Sequence, residues 1–281
     1  MFGESSISDP ILCAHLLYQV DERLIDLLRS LAPSEWDLQT IAPLWKVRDV
    51  VAHLLDTALR KLSLVRDSYR VESVDIRSPQ DLAKHVNRLN REGVTVFGRL
   101  SPMVLIDMMK QACEHSARFH ESLDPFAPAA FAVSWAGEER SLNWFDTARE
   151  LTERWHHQQQ IRLATNRPGI MTRDLYHPVL DCFMRGLPHL YREVEAPLAT
   201  LLVLEVSGEC GGQWLLSKGP TGWHLVKRSE REFASRVRIP QALAWRVFTK
   251  GIDRSLARQQ IEIEGNHELG EKVLHLTAIV G

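Results

Sequence analysis

Glu153 and His157 stand four residues apart in the stretch Glu150-Leu151-Thr152-Glu153-Arg154-Trp155-His156-His157-Gln158-Gln159-Gln160. On an α-helix that spacing puts two side chains on one face, one turn apart. A carboxylate and an imidazole so placed can both reach one divalent metal. Two ligands do not make a site. The best candidate for a third is His53, in Trp45-Lys46-Val47-Arg48-Asp49-Val50-Val51-Ala52-His53-Leu54-Leu55. A His/Glu/His set leaves a fourth position open, which separates a catalytic zinc from a structural one. Plainer readings of the same residues stand beside this one. A Glu/His pair at this spacing is common on a solvated helix face. His53 also suits a half-exposed position, and His156, three residues from Glu153, faces the same side as His157.

The elements that must position these residues are legible as helices. No Gly or Pro interrupts Leu142 to Thr165, and Asn166, Pro168 and Gly169 supply a stop signal. Leu12, Leu16, Val20, Leu24, Leu27, Leu28 and Leu31 recur every three or four residues, which predicts an amphipathic helix opened by Asp9-Pro10. A second helix carries the stripe Val47, Val50, Val51, Leu54, Leu55, Ala58 and Leu62, with His53 at its edge. Ser78-Pro79 and Ser101-Pro102 each pair a capping side chain with a proline at the first helical position, so each starts a further helix. Helices of this length joined by breaker-rich loops predict a bundle.

Trp45-x-Val47-Arg48-Asp49-x-Val51-x-His53, followed about a hundred residues later by Glu153-x-Trp155-x-His157, resembles the mycothiol-dependent maleylpyruvate isomerase family. That family belongs to the DinB-like group of metal-binding helical bundles. The resemblance implies His53, Glu153 and His157 as ligands of a divalent metal, zinc first and nickel or another ion as alternatives; it prefers His157 over His156. It further implies a low-molecular-weight thiol (mycothiol, bacillithiol or glutathione) activated at the metal for isomerisation of, or transfer to, a small electrophilic substrate. Water in the same position would make a hydrolase, and a non-enzymatic metal-containing ligand-binding protein is the alternative from another class. Relatives often carry Gly-Arg after the helix that starts here at Pro240, where this chain has Lys250-Gly251-Ile252-Asp253-Arg254. Arg254 is the candidate for the arginine that contacts an acidic substrate.

The remaining texture sets the frame. After Pro197 short runs suited to strands appear at Leu198–Val206, Gln213–Ser217, His224–Lys227 and Ser235–Ile239, with Lys218-Gly219-Pro220-Thr221-Gly222 as a hairpin turn. Pro240 then opens a helix, Gln260–Glu264 alternates like a strand, and Asn266 caps a closing helix to about Ile279. Asp174–Tyr191 reads as a helix limited by Pro178 and Pro188. The expected fold class is α+β. A DinB-like up-down bundle over 1–172 and a linking helix over 173–196 precede a small α/β domain over 197–281, which resembles the family's sterol-carrier-like tail. A net charge of −2 gives no electrostatic reason to bind nucleic acid or an anionic membrane. The start, Met1–Pro10, lacks the basic region and apolar core of a signal peptide, and no apolar run is long enough to span a bilayer. Four scattered cysteines without a CxxC pattern fit reduced thiols in the cytoplasm. The expected partners are a small-molecule substrate and a thiol. Monomer and homodimer fit equally.

Overall fold

The computed structural model describes residues 9–70 and 74–279; the signal-peptide reading of the first residues lies mostly outside them. Within these bounds the chain forms two compact units. One gathers residues 13–130 and 150–170, and the other residues 9–12, 131–149 and 171–279.

The first unit is helical. It contains α1 (Ala14–Ser30), α2 (Val47–Lys61), α3 (Pro79–Phe97), α4 (Pro102–Ser122) and most of α5 (Asn143–Ala164). Leu24, Leu28, Val50, Leu54, Met109 and Ile161 bring α1, α2, α4 and α5 to one apolar core. Burying a side chain of this size is worth about 1.5–3 kcal/mol, so this core carries the unit. The caps form at Ser78 and Ser101, which accept from the backbone N–H of Asp81 and Val104. The expected start at Asp9-Pro10 does not hold. The helix begins at Ala14, and Cys13, at the N-cap, makes no side-chain capping bond.

Gly93 does not end α3. The Asp56 carboxyl of α2 lies 2.2 Å from where a Cβ on Gly93 would stand, so the glycine admits a close helix approach. At the end of α5, Asn166 takes the left-handed conformation with φ 51°, a usual helix terminator.

The second unit is built on a five-stranded sheet of order β3-β2-β1-β4-β5. Its strands are β1 (Leu201–Ser207), β2 (Gly212–Gly219), β3 (Gly222–Val226), β4 (Ser235–Pro240) and β5 (Glu262–Gly265). β1 pairs antiparallel with β2 and parallel with β4, while β2–β3 and β4–β5 are antiparallel. Gly219 pairs with Gly222 across the Pro220-Thr221 turn, and Gly222 takes φ 132°, which only glycine adopts without strain. Together the units make a mixed α+β chain, as expected.

Residues 173–196, expected to link the domains, form α6 (Arg173–Met184) and α7 (Leu187–Tyr191), which group with the sheet. Pro178 sits inside α6 rather than limiting it. The Tyr176 hydroxyl accepts from Trp245 N–H and donates to the Gln241 carbonyl, tying α6 to α8 (Gln241–Phe248). The closing helix is shorter than expected: α10 (His267–Glu271) passes into a 3-10 turn over Lys272–His275. Beyond it the chain leaves the helical path, and the Ala278 N–H donates to the Phe248 carbonyl.

Candidate metal centre

His53 lies on α2, whose first turn explains most of the motif around it. The Asp49 carboxylate accepts from the Lys46 N–H and caps the helix. Val47 and Val51 are fully buried, and Arg48 pairs with Asp37 at 3.3 Å on the surface. Trp45 precedes the helix in a pinned turn, its carbonyl accepting from the Thr40 hydroxyl at 2.7 Å and the Gln39 amide at 2.9 Å. That turn lays the indole against two imidazoles, with ring centroids 4.6 Å from His53 and 5.8 Å from His157.

On α5, the His157 Nε2 stands 3.5 Å from a Glu153 carboxylate oxygen, as the four-residue spacing requires. The His53 and His157 ring centroids are 4.7 Å apart. One donor atom from each of His53, Glu153 and His157 lies within 4.8 Å of the others, the one such group among the described residues. Donors about 2.1 Å from a tetrahedral zinc stand about 3.4 Å apart, a gap that small side-chain rotations close. Both histidines are buried and Glu153 is half-buried.

The protonation pattern suits ligation. Burial holds His53 well below the usual imidazole range, and the neighbouring His157 adds to the effect. A neutral imidazole offers a lone pair. His157 donates from Nδ1 to the Gln160 side-chain oxygen at 2.9 Å, which leaves Nε2 as the ligating atom on the side of Glu153. The Nδ1 of His53 is buried without a hydrogen-bond partner. An orphaned buried nitrogen costs free energy unless a partner binds that atom, so the donor set fits a divalent ion.

His156, the rival ligand, is accounted for otherwise. Its Nδ1 donates to the Thr152 carbonyl at 2.8 Å, and burial pushes its pKa down to about 3. Trp155 is fully buried, its indole N–H on the Ile170 carbonyl. Arg149 pairs with Asp146 at 2.6 Å. Arg154 is ion-paired too, but in the interior: it is 4% exposed and binds Asp21, Glu150 and Ser116. Arg254 opens α9 (Arg254–Arg258) in the sheet unit, where it is exposed. Two contributors went unread in the sequence. Gln160 follows His157 by three residues, a spacing that could have flagged it, and Trp45 was part of the motif without an assigned task.

Comparison with known proteins follows the same lines. The family model described as "Mycothiol maleylpyruvate isomerase N-terminal domain" matches residues 17–162. No curated protein sequence matches the chain. Among solved structures, a histidine-to-alanine mutant of the mycothiol-dependent maleylpyruvate isomerase is similar in fold, with a TM-score of 0.51 at 12% identity. That similarity covers 85% of this chain and 88% of the other. The unmutated isomerase gives a TM-score of 0.46 at 13% identity over the same shares.

Proposed function

Because the chain belongs to the mycothiol maleylpyruvate isomerase N-terminal domain family, we propose that it is a thiol-dependent enzyme whose helical unit holds one divalent ion, zinc first, through His53, Glu153 and His157. The observation that carries this reading is the convergence of those three donors within 4.8 Å on two facing helices. When bound, such an ion supplies positive charge and favours thiolate over thiol in a thiol that reaches it.

The chain's own residues have separable tasks in this reading. Gln160 fixes the tautomer of His157 by accepting from its Nδ1. Trp45 presses on the rings of both histidines and keeps water from that side. Burial keeps His53 neutral and ready to donate its lone pair. Glu153 brings the one formal negative charge, so a dipositive ion would keep a net positive charge that attracts a thiolate.

The thiol proposed is mycothiol, with bacillithiol and glutathione as the other members of its class; the substrate class is a small electrophile. Arg254 is proposed, on the family resemblance, as a contact to an anionic substrate. Arg254→Ala should then lower kcat/KM for an anionic electrophile while metal content and thiol binding stay unchanged. The test of the main reading is a cobalt titration followed by each thiol in turn. Sulfur ligation should add a near-ultraviolet charge-transfer band and release about one proton per site. A cobalt spectrum indifferent to all three thiols would sink thiol activation and leave the hydrolase and binding readings.

A further inference from the structure

Polar contacts join α2 to α5 at two levels inside the helical unit. At one, the rings of His53 and His157 meet; at the other, the Lys61 ammonium meets a Glu150 carboxylate oxygen at 3.1 Å. The pairing of 53 with 157 and of 61 with 150 makes the two helices antiparallel. His53 to Lys61 spans eight residues, about 12 Å of helix, and Glu150 to His157 spans seven, about 10.5 Å. The two contacts are therefore matched in length along the pair.

The second contact does not end at Glu150. Its other oxygen accepts from Arg154 Nε at 3.1 Å, and the Arg154 guanidinium continues to Asp21 of α1 and the Ser116 hydroxyl of α4. Lys61, Glu150, Arg154 and Asp21 are each no more than 8% exposed. Two cations and two carboxylates cancel. Three helices contribute charges to one neutral chain in the interior, and α4 adds a hydroxyl.

Stability does not explain such a chain. Replacing a buried ion network by apolar residues of similar volume is often neutral or stabilising. The best-attested return on a buried polar group is register, because it has one satisfying partner where Leu or Met has many. Sliding α5 by one residue would move it about 1.5 Å and turn it by about 100°. Such a turn would carry Trp155 and Ile161 off the core, and a smaller shift that apolar packing could absorb would still break polar pairings. The ion chain would not absorb that shift, and neither would the donor set two turns away.

We propose that Lys61, Glu150, Arg154 and Asp21 form a register clamp: they are positioning residues that hold Glu153 and His157 against His53. The inference uses the metal reading only for one of its two readouts. The decisive variant is Asp21→Leu, Lys61→Met, Glu150→Leu and Arg154→Met together, in the full chain. Helical circular dichroism and cooperative unfolding should survive. Cobalt affinity should fall about tenfold or more, the usual scale for losing support behind a metal ligand, and the visible cobalt bands should change intensity. Lys61→Arg should keep wild-type affinity. Nuclear Overhauser contacts between labelled His53 and His157 rings supply a metal-free readout, present in the wild type and lost in the variant. If the fourfold variant fails to fold, Lys61→Met with Glu150→Leu decides instead, since it leaves the Arg154–Asp21 pair neutral. A folded variant that keeps both the ring contact and the cobalt affinity overturns the clamp. Ring contact in a wild type that binds no cobalt overturns the metal reading and leaves the clamp standing.

Discussion

The helical unit carries two polar clusters along the same pair of helices, and they are satisfied to different degrees. In the ion chain each charge meets an opposite one, from Lys61 through Glu150 and Arg154 to Asp21, with a hydroxyl from Ser116 added. At the other end three donors converge, and the Nδ1 of His53 is buried without a partner. A closed, neutral cluster holds elements in place. A convergent set with an unspent nitrogen is arranged to bind something else. The two sit close enough on α5 that Glu153 and Arg154 are sequence neighbours facing different tasks.

The sharpest way to break the comparison is to open the closed cluster. Arg154→Met strips Asp21 of its guanidinium and leaves Glu150 with Lys61, and removing one partner of a buried pair costs about 3–5 kcal/mol. Urea unfolding should show that loss, while the fourfold apolar variant stays near wild-type stability.

Asp21 gives the next effect, through pH. Burial lifts its carboxyl from the ordinary 3.8 to about 6, against the pull of Arg154, while Arg154 is itself held more firmly charged by Asp21 and Glu150. The guanidinium does not shed its charge in this range, so Asp21 is the member of the pair that titrates. A folded pKa above the unfolded one means the folded state binds more protons across that window. Stability therefore falls as pH rises from about 4 to about 6 and levels off above, by on the order of 3 kcal/mol. Asp21→Asn should flatten that slope in a series of urea midpoints; an unchanged slope would assign the pH dependence elsewhere.

At the open cluster, zinc at a hundredfold excess over its dissociation constant should stabilise the fold by about 2.7 kcal/mol. Differential scanning fluorimetry should show the rise in Tm, and His53→Ala should abolish it. The smallest effect belongs to Gln160→Ala. It should lower zinc affinity about tenfold, near 1.4 kcal/mol, by freeing the His157 tautomer. A competition assay with a chromogenic chelator would read it.

Particular residues show how far the sequence carries. The four-residue spacing of Glu153 and His157 needs only helix geometry, so it was readable once the uninterrupted run to Thr165 was seen. Ser78-Pro79 and Ser101-Pro102 are local signals, and both cap as read. Asp9-Pro10 is the same kind of signal and failed; a cap motif licenses a start without compelling one, and Ile11 is buried off the helix. The closing helix failed in a similar way, since Ala278 finds a backbone partner on Phe248 rather than in its own turn.

By itself the sequence determined the helical stripes, the strand texture after Pro197, and the order of the ligand types, because these follow from periodicities of a few residues. Only the tertiary structure decided which polar residues are satisfied inside. Arg154 is the centre of a buried chain, while His156 and His157, adjacent in sequence, took a backbone carbonyl and a place among the donors. The physical reason is that burial and hydrogen-bond partnership depend on residues far along the chain, as Ser116 and Asp21 are 38 and 133 positions from Arg154, and no local pattern encodes them.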